Sequence, residues 1–449
     1  MQPQTALWNS AAELKKFDIA MLACDCSEDI DSKNKPAEMK AFVDGGGRQI
    51  PAGVAYFTAR RATMSTTLAY DPTYLVEPDG YDLEPALPRQ AGQQYVDGLP
   101  GSFADCAPDR WGRNLLDKRR RAEERLAQQR LPAATELDYL LGVSDITRQG
   151  NLRFAESDGP FLDPYEGVPR LVSLPRLLAS ADQVGADAGL DDLAAVKALL
   201  DAGSGSLGGA RPKASVRGDD GGLLIAKFPH ASDEWDVMAW EKTMLDLAGR
   251  AGLRVPVSRL VKVGPRNVLL MERFDRQPGG VRVGYISAMT LVGARDGDER
   301  DYVDIAEALS ESGSAVKADL RELFARVVFS VAVHNTDDHL RNHGFLRDRG
   351  GWTLSPLFDV NPNPDLRGRR MTGILGTVDA KSEVKALFDL AAQCHLSRSE
   401  AMSAIHRVVD AVGGWRQTAG AHGVGQREVN LFAEAMDAQL AALSDISGG

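Results

Sequence analysis

His334-Asn335-Thr336-Asp337-Asp338-His339-Leu340-Arg341-Asn342, with Asp359 behind it in Leu357-Phe358-Asp359-Val360, is the stretch whose reading decides the fold. A largely apolar run, Leu323 to Val333, leads into it. Asp337 and Asn342 stand five positions apart, which is the Asp-to-Asn offset of the catalytic loop in phosphoryl-transfer kinases. In such a loop the Asp accepts the proton of the attacking hydroxyl, and the Asn and a later Asp hold Mg²⁺ on the nucleotide phosphates. The residue types follow from the chemistry. A phosphoryl group in flight carries dispersed negative charge, so the protein supplies position and counter-charge rather than covalent chemistry. Mg²⁺ takes oxygen ligands and keeps several waters, so one or two carboxylates and an amide suffice.

Two plainer readings compete at this stretch. His334, His339 and His343 could form a metal cluster, but Leu340 stands where a helical H-E-x-x-H site needs its Glu, and no Cys lies nearby. Alternatively the Asp residues cap a helix and the Asn ends a turn.

Working outward, the upstream chain carries the other parts that a phosphoryl-transfer site needs, in order. Gly203 to Ala214 (GSGSLGGARPKA) is Gly-rich and basic. Glycines let backbone amides approach an anion, although no Gly-Lys-Ser/Thr ends the segment as in a P-loop, and a flexible linker has the same composition. Leu223 to Lys227 reads as an apolar strand ending in Lys227. The helix expected over Trp235 to Ala251 carries Glu241 in its first half, where it can face that Lys. Val268 to Asp275 is an apolar strand running into a polar strip, the place for a hinge whose backbone meets adenine and whose carboxylate could meet a ribose. An edge strand ending in a turn at Pro278-Gly279-Gly280 is the competing reading.

The remaining chain sets the frame. At 449 residues it is long enough for two or three domains. The formal charge of −11 argues against a general nucleic-acid binder. Cys24, Cys26, Cys106 and Cys394 are few and scattered, as in a reducing cytosol. No apolar run reaches membrane-spanning length. Residues 1–40 read as an irregular polar lead. Short β-rich runs at Ala41 to Val43, Val54 to Phe57 and Met64 to Tyr70 predict an antiparallel meander. A charged helix opens near Pro108, with Lys118 to Arg125 expected on a solvated face. Asn151 to Phe154 is a further strand, and Gly159 to Pro169 a boundary. After about Ser287 strand signals fade. Helices are expected at Val303 to Leu309, Val316 to Val333, Val384 to Cys394, Arg398 to Val412 and Arg427 to Leu443, with a capping box from Ser397 to Glu400. A β-containing half followed by a helical half is the order of a two-lobed kinase.

Taken together, these segments resemble the HipA-type serine/threonine kinases, the toxin halves of bacterial toxin–antitoxin pairs. The resemblance runs over roughly residues 41 to 445. It is carried by Pro108-Asp109-Arg110-Trp111-Gly112, Gly142-Val143-Ser144-Asp145 with Gly150-Asn151-Leu152-Arg153-Phe154, Ser206 to Lys213, Glu272-Arg273-Phe274-Asp275, Asp337 to Asn342, and Phe358-Asp359. It implies an α+β, protein-kinase-like two-lobed fold with an N-terminal β-rich subdomain. The expected division is a lead (1–40), that subdomain (41–158), an N-lobe with Gly-rich loop and hinge (159–276) and a helical C-lobe (277–449).

The resemblance also implies roles. Asp337 is the expected catalytic base, and Asn342 and Asp359 the Mg²⁺ ligands. Lys227, held by Glu241, is the nucleotide-phosphate Lys. Glu272, Phe274 and Asp275 fall at the adenine hinge. Gly208, Gly209, Lys213 and His339 complete the expected ATP-binding set. Ser206 falls on a Ser that such kinases phosphorylate in their own Gly-rich loop, which switches them off. The implied partners are a helix-turn-helix antitoxin of the HipB type, DNA only through that antitoxin, and a protein substrate such as an aminoacyl-tRNA synthetase. The expected location is cytoplasmic. A catalytically weak co-repressor that bridges an antitoxin–DNA complex, and a small-molecule kinase of the same fold, are the alternatives.

Overall fold

The structure, a computed structural model, describes residues 37–60, 63–156, 160–162, 167–186, 193–206, 209–380 and 382–447. Almost all of the expected lead lies outside these residues, as do Cys24, Cys26 and Gly208. Among the described residues no helix is long and apolar enough to cross a membrane. The chain divides into two compact units. The first takes the residues up to Asp82 and Arg89–Ala210, and the second takes Leu83–Pro88 and those from Arg211 onward. The division falls at 210/211, so Ser206 and Gly209 go with the first unit.

The first unit is built on a five-stranded sheet in the order β4-β3-β2-β1-β5, from β1 (Ala37–Gly45), β2 (Arg48–Arg60), β3 (Thr63–Tyr70), β4 (Gln93–Asp97) and β5 (Leu152–Ala155). The meander is as expected, but β1 starts at Ala37, inside the predicted lead. Gly46 and Gly47 both have positive φ (63° and 86°) and make the two-residue turn between β1 and β2, the tight turn that matches strand twist and favours glycine. The helix Arg110–Ala127 buries Trp111, Gly112, Leu115 and Leu116. Its charge run is less solvated than expected. Lys118 Nζ donates to the Val184 carbonyl at 3.0 Å, Arg120 to that of Pro132 at 2.6 Å, and Arg119 pairs with Glu123.

The second unit opens with an antiparallel sheet ordered β6-β7-β9-β8, from β6 (Lys213–Arg217), β7 (Leu223–Lys227), β8 (Ser258–Val263) and β9 (Arg266–Glu272). The helix Val237–Arg250 packs on it through Val237, Met238 and Leu245 against Leu269 and Met271. The rest is mostly helical, as expected, with the helix Val316–Ala332 buried continuously from Leu323 to its end. Strand does not end at Ser287, however. β10 (Tyr285–Ser287) pairs with β12 (Gly344–Asp348), which forms a hairpin with β13 (Gly351–Leu354), and the two-residue strands β11 (Arg300–Asp301) and β14 (Thr372–Gly373) pair in parallel. The helices Glu383–Gln393, Arg398–Gly413, Trp415–Ala421 and Gln426–Ser447 complete the unit.

Candidate active site

Lys227 stands at the end of β7, opposite Lys213 in the pairing of β6 with β7. Met238, Glu241 and Leu245 are spaced i, i+3, i+7 on their helix, so they share one face. Met238 and Leu245 enter the core under the sheet, and Glu241 is carried to the same side. The expected ion pair is present: Lys227 Nζ lies 2.6 Å from Glu241 Oε1. The same ammonium lies 2.7 Å from Asp359 Oδ1. One cation therefore joins the sheet, the helix and the segment around Asp359. Burial alone would lower the Lys227 pKa, but Asp359 and Glu241 outweigh it and hold the ammonium charged well above its usual range. Burial would raise Asp359, yet Lys227 and Lys213 hold it well below the carboxylate range. Glu241 is the deeper carboxylate, and burial pushes it up against the pull of Lys227. Asp359 also has φ of 58°, a left-handed conformation that costs an L residue about 1 kcal/mol or more and concentrates at functional sites.

The loop from His334 to Asn342 begins where the buried helix ends. His334 takes φ of 51° and breaks the helix, while its N–H still bonds the Val331 carbonyl at 3.0 Å. The two adjacent aspartates then part company. Asp337 is exposed and Asp338 is buried. Asp338 Oδ2 accepts from the Tyr302 hydroxyl at 2.6 Å, and His343 Nε2 lies 3.1 Å from Oδ1. Asn342 Nδ2 donates to the Asp337 carbonyl at 3.0 Å, so the two residues five apart are joined directly. After Lys227 and Lys213, His339 is a lesser charge that lowers the Asp359 carboxyl.

The hinge differs from expectation in one respect. Glu272 is exposed at the end of β9, and the Phe274 ring lies 5.5 Å from Phe358 and 6.3 Å from Tyr285. Asp275 is buried and already paired. Arg273 grips it through two bonds of 2.8 and 2.6 Å, and Arg276 adds a third at 2.8 Å. Both oxygens brace the chain as it leaves the sheet.

Ser206 and Gly209 belong to the first unit, where the Pro108 to Gly112 motif holds them. Asp109 caps the following helix with Oδ1 and accepts the Gly209 N–H on Oδ2 at 2.8 Å. A Cβ at Gly112 would come within 2.7 Å of Pro108 Cβ and 3.0 Å of the Gly205 backbone, so the close approach favours Gly. Ser206 is 2% exposed, with its Oγ 2.5 Å from Thr147 Oγ1.

The histidine-cluster reading gains nothing. Among the described residues no group of three or more His, Cys, Asp or Glu is arranged to hold a metal, and His334 Nε2 is engaged at the Asp365 carbonyl, 3.0 Å away. Asp359, an ionised carboxylate, and Asn342, an amide, are residue types that suit a hard cation keeping waters and nucleotide oxygens in its shell. Asp338 and Arg273 stood in the quoted motifs without a role, and Tyr302 and Arg276 were not singled out. The only available signal was the doubled Asp at 337 and 338, and spacing alone cannot tell which of two neighbours turns inward.

Comparison with known proteins bears on both units. The family described as HipA N-terminal domain matches residues 51–136, and that described as HipA-like C-terminal domain matches 205–415. A protein of Sinorhizobium fredii described as "Putative kinase Y4dM" is 30% identical over 251 residues, 48% of this chain. The match spans 60% of that relative's length. Among solved structures, HipA of Shewanella oneidensis MR-1, determined as a toxin–antitoxin system complex with HipB and its operator DNA, aligns with a TM-score of 0.63 at 16% identity, covering 91% of this chain and 97% of that one. The Helicobacter pylori proinflammatory kinase CtkA aligns over 52% of this chain and 92% of its own at a TM-score of 0.36 and 13% identity, too low to carry an argument.

Proposed function

The chain belongs to the HipA family, with its protein-kinase-like α+β fold, and from that premise we propose that it is an ATP- and Mg²⁺-dependent serine/threonine protein kinase. The observation that carries the reading is the convergence on Lys227. Its ammonium bridges Glu241 at 2.6 Å and Asp359 at 2.7 Å. Strand Lys, helical Glu and metal Asp in one cluster are what a kinase requires before transfer can occur.

In this reading Lys227 meets the nucleotide phosphates and Glu241 keeps it aimed. Asp337, exposed at the loop crest, takes the proton of the incoming hydroxyl, and such a general base contributes about 10²–10⁴-fold. When bound with the nucleotide, Mg²⁺ supplies counter-charge to the phosphates, and Asn342 and Asp359 are the residues that would hold it. Glu272 and Phe274 would flank adenine, and Lys213 would add positive charge beside Lys227. Ser206 is the autophosphorylation site of this reading. A phosphate there adds about −1.5 to −2 charges at a hydroxyl now packed on Thr147, so the modified segment would have to leave its seat. The solved HipA with HipB and operator DNA supports a HipB-like helix-turn-helix antitoxin as partner and a growth-arresting toxin as the role, with DNA reached only through the antitoxin. A cytoplasmic protein substrate of the translation apparatus, such as an aminoacyl-tRNA synthetase, completes the proposal.

The test is phosphoryl transfer from labelled ATP with Mg²⁺ into Ser206 and into cell-extract proteins. Wild type labels both, and Asp337→Asn loses at least 10²-fold. Equal labelling by the two, or none by either, ends the reading. A growth assay separates the co-repressor alternative, under which wild type and Asp359→Ala would be equally harmless.

A further inference from the structure

One short downstream segment holds the loop that carries Asp337. The Asn363 N–H donates to the His334 carbonyl at 3.0 Å, and its Nδ2 donates to Thr336 Oγ1 at 2.7 Å. Arg370 Nη1 donates to the Asn335 carbonyl at 2.9 Å and to Ser330 Oγ at 2.7 Å. The Met371 N–H donates to the Thr336 carbonyl at 3.0 Å. The Thr372 hydroxyl donates to the Asp338 carbonyl at 2.6 Å. Three consecutive residues, 370 to 372, thus grip the carbonyls of 335, 336 and 338. They straddle Asp337 and leave its carboxylate exposed.

The grip is anchored from beneath. Arg370 is fully buried, and its Nε donates to Glu383 Oε2 at 2.9 Å. Ser330 Oγ, which accepts from Arg370, lies 3.0 Å from Asp338 Oδ2, the oxygen that also receives the Tyr302 hydroxyl. Next to it β14 pairs with β11 through Thr372 and Gly373. The segment also continues directly from Asp359, so the residues that follow the candidate metal ligand fix the carbonyls that flank the candidate base.

We propose that Arg370 and Thr372 are positioning residues that set the direction of the Asp337 carboxylate by fixing the Asn335 and Asp338 carbonyls before and after it. The inference rests on the kinase reading for its catalytic meaning, while the hydrogen-bonded grip stands apart from that reading. Geometry near the reacting atoms is costly to lose: a misplacement of about 1 Å can cost about 10²-fold in rate.

Arg370→Met would strand the buried Glu383 and could prevent folding, so the decisive variant is Thr372→Val, which keeps the shape and removes one donor. Full-length wild type, Thr372→Val and Thr372→Ser are compared by thermal melting, by steady-state phosphoryl transfer from ATP with Mg²⁺, and by hydrogen exchange of the amides from Asn335 to Asn342. The expected result is a melting temperature within a few degrees of wild type, kcat lowered about 10- to 100-fold, KM for ATP changed less than about twofold, faster exchange in the loop, and recovery of all of these in Thr372→Ser. Unchanged kcat in folded Thr372→Val, or a loss matched by the loss of folded protein, overturns the inference. If the wild type itself transfers no phosphoryl group, the kinase reading falls and exchange decides alone. Faster loop exchange in Thr372→Val than in wild type and Thr372→Ser then upholds the grip, and equal exchange overturns it.

Discussion

Lys227 shows how much one side chain has to reconcile. It is buried, it neutralises two carboxylates, and each carboxylate belongs to a different segment. Replacing it by Met removes the cation and leaves Glu241 buried without it. Breaking one partner of a buried pair typically costs about 3–5 kcal/mol. Denaturant melts of Lys227→Met are expected to show a loss of that order, and Glu241→Gln a smaller one, because the amide carries no charge to strand. Asp338 gives a second test, through pH. Burial would raise its pKa, but His343, the Tyr302 hydroxyl and Arg370 outweigh burial and hold the carboxyl well below its ordinary range. The unfolded chain therefore binds its proton first, near pKa 3.9. The stabilisation is complete above that pH and is lost as pH falls toward the folded pKa. The melting temperature should drop from about pH 4 downward. Asp338→Asn should be less stable at pH 7 and fall less steeply over the same acid range. This scale is also where sequence says least. Asp337 and Asp338 are the same residue type side by side, and only the helix break at His334 decides that the second one enters the core. Asp275 looked unpaired in the sequence, although Arg273 and Arg276, close by in the chain, both bond it.

At the scale of elements, periodicity and caps carried the helices. Ser397 accepts the Glu400 N–H, Glu400 returns the bond, and the helix starts where the motif said it would. These bonds, with Arg321, bring the Glu400 carboxyl down to about 2. Ser397→Ala should lower stability by about 1 kcal/mol, read from a urea melt. Strands were legible only where apolar residues alternate or run together, as in β2, β3, β7 and β9. β6 reads Lys-Ala-Ser-Val-Arg, and of its buried residues Lys213, Ala214, Ser215 and Val216 only two are apolar, so it carries little strand signal. β4 is an exposed edge with polar ends, and the β12–β13 hairpin is short and charged at its turn. The Gly-rich segment was visible from composition, but its clamp was not, because Asp109 and Gly209 are a hundred residues apart. Asp109→Ala should speed hydrogen exchange of the amides from Ser204 to Ser206 and of Gly209. Unchanged exchange would mean that the segment is held by other contacts.

At the scale of the second unit, the helix that bears Glu241 is locked to the C-terminal helices. The Trp240 ring lies 4.2 Å from Phe432 and 5.9 Å from Trp415, and its Nε1 donates to Glu428 at 3.0 Å. The order of strand-rich and helical halves gave the fold class, yet nothing local in Trp240, Trp415 or Phe432 announces that they meet. Trp415 is fully buried, so Trp415→Ala should cost about 3–5 kcal/mol, with chemical denaturation still a single transition for this unit. The account as a whole depends on Lys227, Asp337, Asn342 and Asp359 serving one nucleotide and its cation. A crystal structure with a non-hydrolysable ATP analogue and Mn²⁺ in place of Mg²⁺, using the anomalous signal to find the metal, tests this most directly. The account predicts an anomalous peak at about 2.1–2.2 Å from oxygens of Asp359 and Asn342, with analogue phosphates at Lys227 and the terminal phosphate facing Asp337. A metal peak remote from these two ligands, or a nucleotide bound elsewhere, would contradict it.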